Sequence, residues 1–283
     1  MAMKNILIST VAALSIIGTS AAADNKFSLN VATGNSGMTA AMIPSVVEGF
    51  EKRGFDINAT MAGDCVNSKR LFEGSDEPTV AFWSNIDISS NELCDIGFPS
   101  ESNFLNMVWH APEYFCAKDD PVAALNENST KIGIPLELPD AFVNALEKHN
   151  PKLKIVRYTS SGDMENAIVA NEIDALISTR GPIMQKNGLV SCKYVTDTGA
   201  DSEHDSLGEA IGDESLNYAY ALYAHVVNVD PEMKNDIREA FQEILSSEED
   251  VFKWFENYNV SPGIQFEDVK TQMNFLESLV QTE

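Results

Sequence analysis

Positive charge is scarce in this chain: 19 lysines and arginines stand against 43 aspartates and glutamates, a net charge of −24 over 283 residues. That balance makes nucleic acid and anionic membrane surfaces poor partners, because both are polyanions. It fits a protein kept dispersed by its own acidic surface. Histidine is scarce too, and His110, His149, His204 and His225 lie far apart, each reading as structural or exposed. Neither a G-x-S-x-G elbow nor an H-E-x-x-H run is present, so two common starting points for hydrolytic chemistry are missing. The four cysteines show no C-x-x-C and no Cys/His spacing of the zinc type. No metal, no cofactor and no catalytic residue is expected.

Long apolar runs are lacking as well, apart from one at the N-terminus. Lys4 precedes an apolar stretch from Ile6 to Ile17, broken only by Ser9, Thr10 and Ser15. Small residues follow, Gly18 through Ala23. The stretch is shorter than the ~20 residues a bilayer demands. Charge, short apolar run and A-x-A site together read as a leader over residues 1–23, cleaved before Asp24. With no cysteine between Gly18 and Asp24, a lipoprotein anchor is absent, which points to free diffusion in a periplasm behind an outer membrane. In that oxidising compartment Cys65, Cys94, Cys116 and Cys192 suit disulfides, with three pairings open. Cys65–Cys94 is favoured; it closes a loop of roughly 30 residues and would contribute ~3.5 kcal/mol on the chain-entropy model. Cys116–Cys192 is its complement, and four free buried thiols are the alternative.

About 260 mature residues with 44% hydrophobic content suffice for one large or two compact domains. Phe27 to Ala32 alternates as a half-buried strand, Thr33 to Thr39 is a glycine-bearing loop, and Ala40 to Lys52 has helical spacing ended by Gly54. Phe55 to Met61 is the next strand, Asn67 to Phe72 a short helix, and Thr79 to Trp83 a third strand. This βαβ repetition predicts an α/β fold. Asn103 to Cys116 is extended and apolar, and the break at Ala117 to Pro121 is a candidate crossing between lobes. The scheme restarts with strands at 130–134, 153–158 and 173–177, separated by helices over 138–149 and 163–171. An acidic surface loop is expected over 197–215, an apolar return run from Tyr218 to Val229, and helices beyond Pro231 and Glu248. No short-period repeat is evident.

Ligands of open α/β sheets bind beyond the C-terminal strand ends, and helix N-termini there attract anions. Ser36, Gly37, Met38 and Thr39 lie at the first such loop, and Thr159, Ser160, Ser161 and Gly162 at a matching loop further on. Either loop is also readable as an ordinary capped turn. Arg180 adds a cation able to fork onto a carboxylate, with a surface salt bridge as its plainer reading. Trp83, Ser84 and Asn85 close another strand, where Trp83 either walls the pocket or belongs to the core. The run from Asp197 to Glu214 holds seven acidic side chains but lacks the EF-hand positions, so a solvated loop is expected rather than a calcium site. Asn58-Ala-Thr60 and Asn128-Ser-Thr130 match the glycosylation pattern, which is too short to carry weight.

Four stretches together resemble the type II periplasmic solute-binding proteins, most closely the tripartite tricarboxylate receptor (TctC-like, or Bug) family. These are Val31 to Thr39, Lys154 to Ala175 with its Asn171-Glu-Ile-Asp-Ala turn, the aromatic Asn217 to Pro231, and Met233 to Val260 with its end segment Asn257 to Pro262. The family's double glycine and following aspartate read here as Ser36-Gly37 and Ala40, and its second glycine-rich loop is reduced to Ala62 to Cys65. The resemblance implies a two-lobed α/β Venus-flytrap, each lobe a mixed sheet flanked by helices and joined by two crossovers. It places lobe one at 24–117 plus 216–283 and lobe two at 118–215. It further implies a monomeric receptor, not an enzyme, that captures a small carboxylate through Ser36 to Thr39 and Thr159 to Gly162 and delivers it to a membrane transporter. An ABC-type or sensory receptor is the alternative within binding, and an exported enzyme on the same fold is the alternative outside it.

Overall fold

A computed structural model describes residues 25–33, 37–89, 94, 96–126, 129–136, 138–196, 204–266 and 268–280. The leader, Ser36 of the first loop, Asn128 and residues 197–203 of the acidic run lie outside the described residues.

The chain builds one sheet, leaves it to build a second, and returns. The first passage comprises β1 (Lys26–Val31), α1 (Met38–Glu51), β2 (Asp56–Met61), α2 (Cys65–Glu73), β3 (Thr79–Ser84), α3 (Asn85–Ser89) and β4 (Phe104–Pro112). The second comprises β5 (Tyr114–Ala117), α4 (Pro121–Asn126), β6 (Lys131–Pro135), α5 (Asp140–His149), β7 (Lys154–Tyr158), α6 (Ser161–Val169), β8 (Ala175–Ser178), α7 (Gly181–Lys186), β9 (Ser191–Val195), β10 (Asp205–Ser206) and α8 (Leu207–Ile211). The return comprises β11 (Ala219–Val227), α9 (Pro231–Ser247), α10 (Glu249–Tyr258), β12 (Ser261–Pro262) and α11 (Val269–Val280).

Strand order is β12-β4-β11-β3-β1-β2 in the first sheet and β10-β9-β5-β8-β6-β7 in the second. Both are mixed: β1 runs parallel to β2 and β3, while β11 is antiparallel to β3 and β4. In the second, β6 runs parallel to β7 and β8, and β5 is antiparallel to β8 and β9.

Period-two alternation feeds a core on each face of each sheet. Along β3, Val80 and Phe82 join the aromatic core of Phe27, Phe50 and Phe241, whereas Ala81 and Trp83 join Phe72, Tyr223 and Leu276 on the opposite face. Along β5, Phe115 and Ala117 face Ile132 and Phe142, while Tyr114 and Cys116 face Met164 and Met184. Cys65 pairs with Cys94, tying the start of α2 to the segment after α3. Cys116 pairs with Cys192 across the antiparallel β5 and β9, with Cα atoms 4.0 Å apart. Both pairings are the favoured ones.

Two expectations shift. The apolar run from Asn103 to Cys116 is not one strand: β4 belongs to the first sheet and β5 to the second, so the chain crosses at Glu113 rather than near Ala117. The physical reason is pairing, since Tyr114 to Ala117 are hydrogen-bonded partners of β8 and β9. The described part of the acidic run is not a plain surface loop either. It forms β10, α8 and a 3₁₀ turn at Glu214–Leu216, because Leu207 and Leu216 are fully buried and anchor it.

Candidate functional site

Since β3 and β4 both run antiparallel to β11, the strands β1, β3 and β4 end on the same edge of the first sheet. In the second sheet β6, β7 and β8 end together, and β5 begins beside them, Tyr114 opposite Ser178. A cavity of about 80 Å³ sits where these two edges meet. Every one of those ends contributes to it: Ala32 and Thr33 after β1, Ser84 and Asp87 after β3, Glu113 after β4, then Pro135, Tyr158 and Ser178. This is the placement that open α/β sheets reserve for ligands.

Two helix N-termini reach the cavity. α1 starts at Gly37, which has no side chain to cap it, and its first turn carries no acidic residue. Gly37, Met38 and Thr39 all line the cavity. First-turn N–H groups lack intrahelical acceptors, so this end offers donors and partial positive charge to an anion. α6 opposes it: Thr159, Ser160 and Ser161 line the cavity, and the Ser160 hydroxyl caps the helix by accepting from the Asp163 N–H at 3.1 Å. The helix therefore begins at Ser161 instead of after Gly162, and Gly162 is not a lining residue. The two lobes touch at this rim, where the Thr179 hydroxyl meets the Met38 sulfur at 3.7 Å.

Other expected residues lie elsewhere. Ser84 lines the cavity, but Trp83 points to the opposite face of β3 and packs edge-on against Phe72 at 6.0 Å. Strand alternation makes it a core residue. Asn85 is buried and structural: its amide nitrogen donates to the Ala219 carbonyl at 3.0 Å, and its oxygen accepts from the Ala221 N–H at 2.9 Å. Arg180 is held in an ion pair by Glu165, with its guanidinium 5.6 Å from the centre of the Tyr258 ring, so it bridges the two sheets' helices and does not line the cavity.

Charge in the cavity comes instead from residues the sequence reading overlooked. Asp87 and Glu113 are both buried lining residues. Burial pushes the Asp87 carboxyl up to about 6, opposed by the Ser84 N–H at 2.7 Å and the Ser84 hydroxyl at 2.9 Å. Asp87 also lies beside Cys65 and Cys94, but the disulfide leaves no thiolate there to bind a metal. Trp109 and Tyr220 stack at 5.2 Å and wall the cavity from the first sheet. Glu113 had a visible signal: it is the one formal charge in the apolar run from Phe104 to Ala117.

No family model and no curated protein matches the sequence. Solved structures match its fold. The periplasmic binding protein BugD aligns with a TM-score of 0.72 at 12% identity, over 90% of this chain and 94% of that one. A Rhodopseudomonas palustris protein with adipate aligns with a TM-score of 0.67 at 12% identity, over 91% and 96%. MatC from the same organism, with bound malate, aligns with a TM-score of 0.62 at 11% identity, over 90% and 99%. The chain has the fold of periplasmic solute-binding proteins: two mixed sheets, each flanked by helices.

Proposed function

We propose that the protein is an exported receptor that closes on a small carboxylate-bearing solute between two lobes and hands it to a membrane transporter. One lobe holds the first sheet and the other the second, hinged at Glu113 and at the residues just after Leu216. The observation that carries the reading is the cavity itself, lined by strand ends from both sheets and by the glycine-capped start of α1. The ligand carboxylate would accept from the backbone N–H groups of Met38 and Thr39 on one side and from Ser161 on the other, with the hydroxyls of Thr39 and Ser160 beside it. The neighbours with bound malate and adipate support a carboxylate. The N-terminal leader supports a periplasmic location, and mass analysis of the exported protein should find it beginning at Asp24. The fold and the absence of nucleophile and metal motifs support binding without turnover.

Thermal-shift screening of the purified protein against dicarboxylates, hydroxy acids and amino acids tests this directly. A solute at 100 times its Kd should add ~2.7 kcal/mol, a rise of a few degrees in Tm. Failure of every carboxylate-bearing compound, or consumption of the one that binds, would overturn the proposal.

A further inference from the structure

We infer that the end of α10 is a clasp, in which Tyr258 and Asn259 grip the second lobe and tilt the protein toward closure before any solute binds; this rests on the two-lobed reading above. α10 is rooted in the first sheet's core through Val251, Trp254 and Phe255. Its last residue and the one after it reach across to the second lobe. The Arg180 guanidinium lies 5.6 Å from the centre of the Tyr258 ring, and the Asn259 Nδ2 donates to the Tyr114 hydroxyl at 3.2 Å. Tyr114 opens β5 and Arg180 immediately precedes α7, so both partners belong to the second lobe.

Each half of the clasp is held by its own lobe. Glu165 on α6 pairs with the Arg180 guanidinium, whose planar face remains suited to stacking on a ring. Asn259 ends α10 in the left-handed region, at φ 51°, which asparagine adopts more readily than most side chains. The Tyr258 ring packs 5.0 Å from Trp254, Trp254 lies 6.0 Å from Trp109, and Trp109 stacks on Tyr220 at 5.2 Å. Trp109 and Tyr220 wall the cavity, so the wall and the clasp are two ends of one aromatic stack. The four clasp residues themselves do not line the cavity. Their contribution to closure is therefore present without solute, and a solute adds to a balance already tilted. An arginine–ring contact and a neutral hydrogen bond each shift such a balance by roughly two- to fivefold.

Small-angle X-ray scattering of the purified protein tests the clasp, after co-purified solute is removed by unfolding in guanidinium with the disulfides intact and refolding. The wild type should scatter as the closed structure does. Tyr258→Leu combined with Asn259→Gly should raise the open-to-closed ratio about tenfold and enlarge the radius of gyration. Tyr258→Phe keeps the ring and should stay as compact as the wild type. Asn259→Gly alone keeps the left-handed turn and removes only the amide, so it reads the clasp even where Tyr258→Leu fails to fold. A solute-free wild type more expanded than the closed structure would overturn the inference. So would variants lacking the ring and the amide that remain as compact as the wild type. The thermal-shift screen decides the receptor reading separately: a carboxylate that binds leaves that reading standing whichever way the scattering falls.

Discussion

The Thr196 hydroxyl accepts from the Glu113 N–H at 2.9 Å, and the Thr196 N–H donates to the Glu113 carbonyl, also at 2.9 Å. The same hydroxyl donates to the Tyr218 carbonyl, while the Tyr218 N–H donates to the Thr196 carbonyl at 2.7 Å. Thr196 thus pins the outgoing crossover to the returning one. Thr196→Ala leaves a buried N–H and a buried carbonyl unsatisfied, at a cost of about 2–4 kcal/mol. Thr196→Ser, which keeps the hydroxyl, should recover most of it. Urea denaturation of the two variants reads the difference.

Arg180 gives a second prediction, because its two possible roles differ sharply in magnitude. A guanidinium forked onto a ligand carboxylate would cost 100-fold or more in affinity when removed. Here Arg180 holds Glu165 and covers Tyr258, so Arg180→Ala should weaken ligand binding less than tenfold. Titration calorimetry on the variant distinguishes the two, and a 100-fold loss would restore Arg180 to the site.

Acid titration supplies a third. His225 is buried beside Phe72, ring centroids 5.0 Å apart, and neither ring nitrogen has a hydrogen-bond partner among the described residues. Burial first, and the Lys234 charge second, push its pKa from 6.5 down to about 4. The unfolded chain therefore takes the proton first as pH falls, and stability is lost between about 6.5 and 4, by about 3 kcal/mol at most. Asp87 acts in the opposite sense. Its carboxyl is raised to about 6, so its contribution is full below 3.8 and lost as pH rises through about 6. The two partly cancel in the native protein. His225→Phe should therefore gain stability over wild type steadily from pH 6.5 to 4, and Asp87→Asn should gain from pH 4 to 6. A pH-independent difference in Tm for either variant would contradict the assignment.

The disulfides differ in leverage. Cys116–Cys192 closes 76 residues and Cys65–Cys94 closes 29. On the chain-entropy model these are worth ~4.5 and ~3.5 kcal/mol. Replacing Cys116 and Cys192 with alanine should lower the urea midpoint more than replacing Cys65 and Cys94, and reducing agent should leave each variant with only the other's sensitivity.

Most of the scaffold was legible because its strands are short alternating runs between turn residues. Phe27 to Ala32 differs from the observed Lys26–Val31 only at its ends, and the helix expected beyond Pro231 is found at Pro231–Ser247. Legibility failed where tertiary pairing decides. The division of the run from Phe104 to Ala117 between two sheets leaves no mark on hydrophobicity, because both halves are equally buried. The small helix at Leu207–Ile211 was masked by the acidic residues around two buried leucines. The helix-start residues Gly37, Met38, Thr39, Ser160 and Ser161, singled out by strand-loop-helix order, line the cavity. Of the two readings open for each, Trp83 takes the core one, and Arg180 the ion pair, with a residue 15 positions away. Asp87 carries no local signature, being a single acidic residue in an acidic chain, whereas Glu113 stands out as the one formal charge in the run from Phe104 to Ala117.

A crystal structure of the protein with the best thermal-shift ligand tests the central claim most directly. The account predicts a small solute between the two sheets, its carboxylate within hydrogen-bond distance of the N–H groups of Met38 or Thr39 and of Ser161. A ligand seated outside the cavity, or held there with no contact to either helix start, would contradict it.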